Sequence, residues 1–412
     1  MRTLETLEEL DRVLADCDAA AAVSDDALRT VFTSFQMLPP PAPADPFSQE
    51  FRAHQLDLYR WIAGRDYALK NEATAFEIAD AVRRPFPYAT GSCQTVGEQL
   101  MAIGYLISRM ELAPGSRVLE FGPGWGNTTL ALAQTGMAVT AVDIEARFCE
   151  LIRRRASLAG VTVDVVNSDF MWAEQTGKTY DVVLFFECFH HCDDHLRLLR
   201  ALRRVLKPGG RILFAAEPVH ADFPQPWGLR LDGQSLWSIR KFGWMELGFS
   251  ERYFQQALAL TGWRAEPMVS NDVPWMTIWT ARNAREPIVL DAADRRFATQ
   301  IGEKRSDGVH LTGQEGYGLF GPYMPLPAGD YVVSLGFSGE TAGTAQIDVA
   351  IEKGSRVLAR VDFGAEDLGG VQTVELPLHL DDAVTDLELR LHCAPGFTGI
   401  VRRAEFKLVA ED

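Results

Sequence analysis

Histidine and acidic side chains are concentrated in one short stretch of the chain, Phe186–His195 (FECFHHCDDH). Three of the eight histidines of the chain lie in it. Imidazole takes up and releases a proton near neutral pH, so the stretch is a candidate for general-base chemistry at a reacting oxygen. We predict His191 and His190 as the first candidates and His195 as the third. The alternative is structural, with the turn serving as the cap of the following helix.

The same stretch contains side chains that bind metals. Four of them are of the zinc-ligand type: Cys188, His190, Cys192 and His195. Their tight spacing across a strand-to-helix turn does not match a standard zinc pattern. A magnesium site with a substrate diol is a second alternative, built from Asp193, Asp194 or Glu217. We predict no resident metal and keep a divalent cation as the less favoured alternative.

A second group of candidates lies where an apolar run enters a glycine-rich turn, at Glu120–Gly126 (EFGPGWG). Glycine permits positive φ and lets a ligand lie against bare backbone. Asp143 ends the next apolar run, where its two oxygens can accept hydrogen bonds from both hydroxyls of an adenosine ribose. Glu120 would repel a pyrophosphate but would attract an ammonium group. The two carboxylates therefore favour a positively charged nucleoside over a dinucleotide.

Asp169-Phe170 follows a third apolar run, where the acid can accept from an adenine amino group while the ring packs on its face. With the later Tyr180–Val183 and Leu206–Ile212, the ordered motifs closely resemble class I S-adenosylmethionine-dependent methyltransferases, over roughly 116–283. The resemblance implies a seven-stranded sheet with an antiparallel last strand. It also implies which residues contact the cofactor. The methionine part is held by Glu120, Gly122, Gly124 and Gly126, and the ribose by Asp143. The adenine is held by Ile144, Asp169 and Phe170. We add Glu187 to the cofactor-binding residues.

The acceptor pocket is predicted from a long loop after the fifth strand, Ala221–Trp244. Aromatic faces mixed with charged groups suit sugar rings, so Trp227, Arg230 and Trp237 are the candidate substrate contacts. The alternative is that the tryptophans pack the loop onto the sheet. The resemblance implies that the segment from Pro85 to Leu106 covers the cofactor, and Tyr88 within it is a fourth candidate substrate contact.

The elements that must position these residues fall into three regions. Residues 1–112 show helical periodicity, with helices predicted at 3–22, 25–37, 48–61 and 95–110 and a proline-rich linker between the second and third. Residues 113–284 alternate apolar strands with helices, which indicates a mostly parallel sheet of the Rossmann-like α/β class. Residues 285–412 consist of short alternating runs, which predict an antiparallel β-sandwich or jelly roll.

Composition limits the partners. The 412 residues are 47% hydrophobic and carry a net charge of −16, so a folded protein is expected and nucleic acid is a poor candidate substrate. Six scattered cysteines do not form a secreted disulfide pattern, and no apolar run reaches the length of a membrane span. These features favour a cytoplasmic protein.

The leading functional hypothesis is a methyltransferase that uses S-adenosylmethionine, releases S-adenosylhomocysteine and methylates a sugar or glycan oxygen, as in polysaccharide biosynthesis. It draws on the tryptophan-rich loop and on 320–331, which is similar to β-sandwich modules of carbohydrate enzymes. The first alternative is a natural-product or lipid-like acceptor, with the β-sandwich used for homo-oligomer formation. The second is a non-catalytic scaffold that binds the cofactor.

Overall fold

The computed structural model describes residues 1–72, 76–83 and 92–409. The chain divides into two compact units, Met1–Asn283 and Ala284–Asp412. Within the first unit the N-terminal helices share a core with the central sheet, because buried Leu10 and Tyr59 belong to the same hydrophobic cluster as Leu119 and Phe185. The helices therefore contribute directly to the part of the molecule that positions the site.

The N-terminal region consists of β1 (Arg2–Thr3), α1 (Leu7–Ala21), α2 (Asp25–Phe32), β2 (Phe35–Gln36), α3 (Gln49–Ala63), a 3-10 turn (Leu69–Glu72), α4 (Ile78–Arg83) and α5 (Cys93–Met110). Hydroxyl side chains at Ser24 and Ser48 accept from backbone N–H groups and so start α2 and α3. The prediction of a helix to residue 37 is wrong, because α2 ends at Phe32. The Ser34 hydroxyl donates to the Val31 carbonyl, and β2 then pairs in parallel with β1.

The α/β part runs through β3 (Arg117–Phe121), α6 (Asn127–Gln134), β4 (Ala138–Asp143), α7 (Ala146–Ala159), β5 (Asp164–Asn167), α8 (Trp172–Gln175), β6 (Tyr180–Phe186), a 3-10 turn (Phe189–His191), α9 (His195–Leu202) and β7 (Leu206–Ala215). It continues with β8 (Val219–His220), β9 (Trp227–Leu229), α10 (Gly233–Lys241), β10 (Leu247–Ser250), α11 (Glu251–Leu260), β11 (Trp263–Val269) and β12 (Thr277–Asn283). Seven of these strands form one sheet in the order β11-β12-β7-β6-β3-β4-β5. Strand β12 is antiparallel to both its neighbours, and the pairs from β7 to β5 are parallel.

The central strands of this sheet are covered on both faces. In β6, Val182, Val183, Leu184 and Phe185 are all fully buried, which explains the continuous apolar run in the sequence. Because β3, β4, β6 and β7 are parallel, their carboxyl ends meet at one edge of the sheet. Ligands of open α/β sheets bind at this edge.

The segment predicted as a loop, Ala221–Trp244, is partly regular. It contains β9 and α10, and β9 pairs with β10 in a small sheet that also includes β8. Asp232 starts α10 by accepting from the backbone N–H of Ser235 at 3.1 Å. In the described ranges, none of the helices has both the length and the apolar character that crossing a membrane requires.

The C-terminal unit is built from antiparallel strands: β13 (Ile288–Asp291), β14 (Gly302–Arg305), β15 (Gly308–Thr312), β16 (Gly316–Leu326), β17 (Gly329–Ala342), β18 (Thr344–Ile351), β19 (Arg356–Gly364), β20 (Thr373–Leu380), β21 (Val384–Cys393) and β22 (Thr398–Leu408). One sheet has the order β14-β15-β22-β17-β20 with β13 on β22, and the other has the order β16-β21-β18-β19. Buried side chains of both sheets, such as Leu335 and Leu389, form one hydrophobic cluster. The similarity to modules of carbohydrate enzymes stays a prediction.

Candidate active site

The glycine-rich turn joins β3 to α6 and holds three glycines in left-handed backbone conformations, with φ of +58° at Gly122, +51° at Gly124 and +76° at Gly126. A Cβ at Gly122 would lie 2.7 Å from the Cys188 Cβ, and one at Gly126 would lie 2.6 Å from the Ile152 Cγ1. A Cβ at Gly124 would meet no atom within 4 Å. The first and third glycines thus let neighbouring elements approach, and the middle one presents bare backbone to open space, where a ligand can lie.

Two buried carboxylates flank this turn. Glu120 is 2% exposed and accepts from the Thr129 hydroxyl at 2.5 Å. Asp143 is 5% exposed and accepts from the backbone N–H groups of Gly124 at 3.0 Å and Glu145 at 2.8 Å. Each oxygen of Asp143 keeps a further lone pair for a ligand hydroxyl. Burial raises the pKa of both carboxyls to about 7, so the site favours a positively charged ligand or hydrogen-bond donors.

The predicted adenine contacts lie at the ends of the next strands. Ile144 is half-buried directly after Asp143. Asp169 accepts from the Met171 backbone N–H at 2.8 Å, which fixes the turn after β5. The Phe170 ring is half-buried and lies 5.8 Å from the Phe121 ring, at the end of β3. The structure therefore brings Asp169 and Phe170 to the same edge as the glycine turn.

The structure describes part of the segment predicted to cover the cofactor, 85–106. Residues 84–91, and with them Tyr88, lie outside the described residues, so that predicted contact stays a prediction. From the segment just before them, the Phe76 ring packs on the Trp125 ring of the glycine turn with 4.6 Å between centroids. From α5, the Gln99 side chain lies near Glu187 and favours the ionised form of that carboxyl, which lowers its pKa.

A group of ionisable side chains lies past the carboxyl ends of β6 and β7. Its centre is Glu217, whose carboxylate accepts from the backbone N–H groups of Cys188 at 2.9 Å, Phe189 at 2.8 Å and His190 at 3.1 Å. The same carboxylate lies 2.8 Å from Nδ1 of His190. Burial raises the pKa of Glu217 to about 7, while the three backbone donors favour its ionised form. With those donors in fixed positions, we assign the carboxylate as ionised and the imidazole proton to Nδ1.

The other nitrogen of His190 faces a second carboxylate. Nε2 of His190 lies 3.7 Å from the Oε2 of Glu246, and the Arg230 guanidinium lies 3.6 Å from the same oxygen. The His191 ring lies 4.3 Å from the His190 ring, and its Nδ1 is 3.4 Å from the Oε2 of Glu72. We call this set the carboxyl-edge cluster: Glu72, Glu187, His190, His191, Glu217, Arg230 and Glu246.

Burial shifts the pKa values of this cluster in a consistent way. It raises the pKa of Glu72 to about 7, raises that of Glu246, and lowers those of His190 and His191 to about 4. Glu187 is exposed at the surface, yet the protein around it and the nearby Glu217 carboxylate raise its pKa to about 7. Its backbone has φ of +52°, which is unusual for a residue other than glycine.

His195 does not belong to this cluster. It is 2% exposed, its Nε2 lies 2.7 Å from the Tyr253 hydroxyl, and the rings of Trp227 and Phe249 lie 4.8 and 5.2 Å away. Burial lowers its pKa to about 3. We call this set, with Phe189, the aromatic pocket. The partners of His195 are those of a packed core histidine, and its predicted catalytic role stays a prediction.

The two tryptophans predicted as substrate contacts also serve packing. Trp227 is 3% exposed and donates to the Pro46 carbonyl at 2.8 Å. Trp237 donates to Asp18 of α1 at 3.1 Å and packs on Phe32 of α2. Both indoles thus fasten the segment after β7 to the N-terminal region. Of the predicted substrate contacts that the structure describes, Arg230 lies at the carboxyl-edge cluster.

The metal sets considered from the sequence are not assembled among the described residues. The Cys188 thiol donates to the Phe121 carbonyl at 3.0 Å, and His195 is in the aromatic pocket. Asp193 and Asp194 pair with Arg52 of α3, at 2.6 and 3.7 Å, and so do not join Glu217.

Sequence reasoning missed Glu72 and Glu246 as members of the cluster. Glu246 carried a signal, since it is the single charged residue in the run 244–249 (WMELGF) and is 8% exposed. Glu72 ends a short 3-10 turn in a polar stretch, and its sequence offers no comparable signal.

Known proteins are similar to the middle of this chain. Residues 119–214 match the sequence model of a family described as a methyltransferase domain. A ubiquinone biosynthesis O-methyltransferase from Xanthomonas oryzae pv. oryzae is 35% identical over 115 residues, which are 27% of this chain and 47% of that protein. The enzyme of the same name from Pectobacterium atrosepticum is 33% identical over 116 residues, which are 28% and 48% of the two chains. A solved complex of DhpI with SAH is 19% identical and covers 52% of this chain and 96% of that chain, with a TM-score of 0.38, too low to support an argument.

The chain spans about half the length of the curated relatives it matches, 47% for the first. The matched segment extends from β3 to β7 and contains the glycine turn, Asp143 and the His190-His191 turn. The similarity to a methyltransferase domain thus covers residues 119–214, the part of the chain that carries the glycine turn.

Proposed function

We propose that this protein is an S-adenosylmethionine-dependent O-methyltransferase acting on a small acceptor rich in hydroxyl groups, such as a sugar or a glycan end. The observation that carries the proposal is the position of the carboxyl-edge cluster beside the glycine turn. The two are linked through Cys188, whose backbone N–H donates to Glu217 of the cluster and whose thiol donates to the carbonyl of Phe121.

The cofactor side follows from the residues around the turn. Asp143 accepts the ribose hydroxyls with the lone pairs that Gly124 and Glu145 leave free, and Glu120 attracts the ammonium group. Ile144 and Phe170 cover the adenine, and Asp169 accepts from its amino group. Bound S-adenosylmethionine supplies an activated methyl group on a sulfonium. What the chain must add is the position of the acceptor oxygen in line with that methyl group.

The acceptor side is polar and charged. Four carboxylates, two imidazoles and the Arg230 guanidinium surround the space past β6 and β7. Such groups exchange hydrogen bonds with hydroxyls and would lose hydration without compensation against an alkyl chain. In the reaction the acceptor loses its hydroxyl proton, an O–CH3 bond forms as the S–CH3 bond breaks, and neutral S-adenosylhomocysteine is released. His190 and His191 accept the hydrogen bond of the acceptor hydroxyl and take up its proton as the new bond forms, and this proton then passes to solvent.

A labelled-methyl assay tests this proposal. The protein is incubated with methyl-labelled S-adenosylmethionine and a panel of monosaccharides, nucleotide sugars, oligosaccharides, phenols and hydroxylated lipids. We expect label on sugar hydroxyls with equal release of S-adenosylhomocysteine. Label confined to phenols or lipids would contradict the sugar acceptor, and no S-adenosylhomocysteine with any acceptor would contradict the methyltransferase and favour the scaffold.

Two matched variants make the assay specific. Asp143→Ala removes a carboxylate at the carboxyl end of β4, and we expect loss of the product. Asp164→Asn changes an exposed acid at the start of β5, where it pairs with Lys178 at 2.6 Å, and we expect full activity.

A further inference from the structure

Three side chains of the carboxyl-edge cluster have the chemistry of a metal site. One ligand atom each of His190, His191 and Glu246 lies within 4.8 Å of the others. His190 and Glu246 are buried and His191 is half-buried, so these groups are not ordinary solvated charges. Their burial needs a compensating partner, since buried charged and polar groups are costly when they face one another unpaired.

The contact between His190 and Glu246 is the sharpest sign of such a partner. Because Nδ1 of His190 carries the proton that faces Glu217, its Nε2 presents a lone pair. That lone pair faces the Oε2 of Glu246 across 3.7 Å, beyond hydrogen-bond distance. Two acceptors in this arrangement repel each other unless a proton or a metal ion lies between them.

The distance fits a coordinated ion. Nitrogen and oxygen atoms that each lie about 2.1 Å from a tetrahedral ion are about 3.4 Å apart, within a few tenths of an ångström of the observed 3.7 Å. The His191 side chain is 22% exposed, and its ligand atom lies within 4.8 Å of those of His190 and Glu246.

The hydrogen bond between His190 and Glu217 is of the kind that metal-binding histidines usually form. A metal-bound histidine donates its other ring N–H to a carboxylate, which fixes the ring and its tautomer. Glu217 has that place here and is itself held by three backbone N–H groups. Glu72 stands in the same relation to His191, with 3.4 Å between Oε2 and Nδ1.

The charge around the site also favours a cation. Four carboxylates of the cluster face it: Glu72, Glu187, Glu217 and Glu246. The positively charged side chain of the cluster is Arg230, which also forms an ion pair with Asp232 at 3.2 Å. The carboxylates of the cluster thus outnumber the Arg230 guanidinium, and such an arrangement attracts a cation.

We propose that His190, His191 and Glu246 bind one divalent transition-metal ion, such as Zn²⁺, Mn²⁺ or Fe²⁺. Two imidazoles and one carboxylate suit these ions better than Mg²⁺ or Ca²⁺, which prefer oxygen ligands. Three protein ligands leave coordination positions open for acceptor oxygens. The inference rests on the proposed function for its role: the ion held by the histidines would stabilise the ionised acceptor oxygen, and the hydroxyl proton would pass to solvent.

Titration of the chelator-treated full-length protein with Co²⁺ and Zn²⁺ alone tests the site without cofactor or acceptor. We expect one equivalent to bind, seen as visible absorption of Co²⁺ and as heat for Zn²⁺. Glu246→Gln and His190→Gln should each weaken binding at least tenfold. The matched controls Glu303→Gln and His379→Gln change exposed side chains of the C-terminal unit and should leave this equivalent unchanged.

Absence of stoichiometric binding to the wild type, or binding that survives both cluster substitutions, would overturn the proposal. Thermal unfolding of each variant shows whether a loss reflects unfolding, and His191→Gln provides a further test if one variant does not fold. Binding of S-adenosylhomocysteine is measured in the same samples. Metal binding without nucleoside binding would contradict the proposed function alone, and the reverse would contradict the metal site alone.

Discussion

The carboxyl-edge cluster and the aromatic pocket lie in the same stretch of chain but use histidine in opposite ways. Nε2 of His190 faces a carboxylate that cannot donate to it, whereas Nε2 of His195 has the Tyr253 hydroxyl as its partner. Around His190 the neighbours are acids and a guanidinium, and around His195 they are aromatic rings. Two histidines five positions apart thus have different surroundings, charged side chains around His190 and a packed aromatic core around His195.

This difference shows where the segment after β6 passes from the candidate active site into the packed core. The chain leaves the sheet edge at Glu187, follows Glu217 through the backbone N–H groups of 188–190, and then enters α9 at His195. Substitutions before this point, as at His190, should lower activity. Substitutions after it, as at His195, should lower stability and leave activity nearly unchanged.

The largest effect is expected for His190→Ala. The variant should lower kcat by about 10²- to 10⁴-fold, because the acceptor hydroxyl loses the group that takes up its proton. The variant also loses a buried ring and the hydrogen bond to Glu217, so the free energy of unfolding should fall by about 1–3 kcal/mol, and kcat is measured well below the melting temperature. Steady-state kinetics and thermal unfolding check both parts, and near-normal kcat would remove His190 from the site.

His195→Ala should lower stability and leave kcat nearly unchanged. Removing a fully buried ring leaves a cavity in the aromatic pocket and an unpartnered Tyr253 hydroxyl, at a cost of about 3 kcal/mol in the free energy of unfolding. Below the melting temperature kcat should stay within about twofold of the wild type. Denaturant unfolding measures the loss, and a stable variant with a collapsed kcat would restore His195 as a catalytic candidate.

Acidification should weaken cofactor binding. Burial raises the pKa of Asp143 to about 7, so below that pH its carboxyl is protonated in the free protein and must ionise to accept both ribose hydroxyls. The affinity for S-adenosylhomocysteine should therefore fall about tenfold per pH unit from pH 7 to pH 5. Calorimetry at several pH values measures the slope. Asp143→Asn should bind more weakly at pH 7 and show a flatter profile, and a wild-type profile without slope would count against the assignment.

The smallest effect is expected at the ion pair beside the cluster. Asp193→Asn removes a half-exposed partner of Arg52 and should cost less than about 1 kcal/mol in stability, with kcat unchanged. Chemical denaturation and the methyl-transfer assay are the measurements. A large loss of activity would revive the magnesium alternative that uses this residue.

Sequence reasoning predicted the cofactor side better than the acceptor side, for physical reasons. Strand, turn and carboxylate are contiguous at Glu120–Gly126 and at Asp143, so local spacing predicts their meeting at one edge of a parallel sheet. The cluster instead combines Glu72, His190, Glu217 and Glu246, which are distant in sequence and meet only through tertiary packing.

The tryptophans illustrate the same limit. Trp227 and Trp237 beside charged residues are typical of sugar sites, but the pattern does not show which face of the segment is covered. The N-terminal region supplies the missing information, because the Pro46 carbonyl and the Asp18 carboxylate accept from the two indole N–H groups. The positions of these tryptophans depend on packing between segments that are distant in sequence, which local composition does not reveal.

Calorimetric titration of the wild-type protein and of Asp143→Ala with S-adenosylhomocysteine at pH 8 tests the central claim most directly. The account predicts one equivalent bound by the wild type, an affinity loss of about 100-fold or more in Asp143→Ala, and unchanged binding by Asp164→Asn. No heat with the wild type, together with uptake of a nicotinamide dinucleotide, would contradict it.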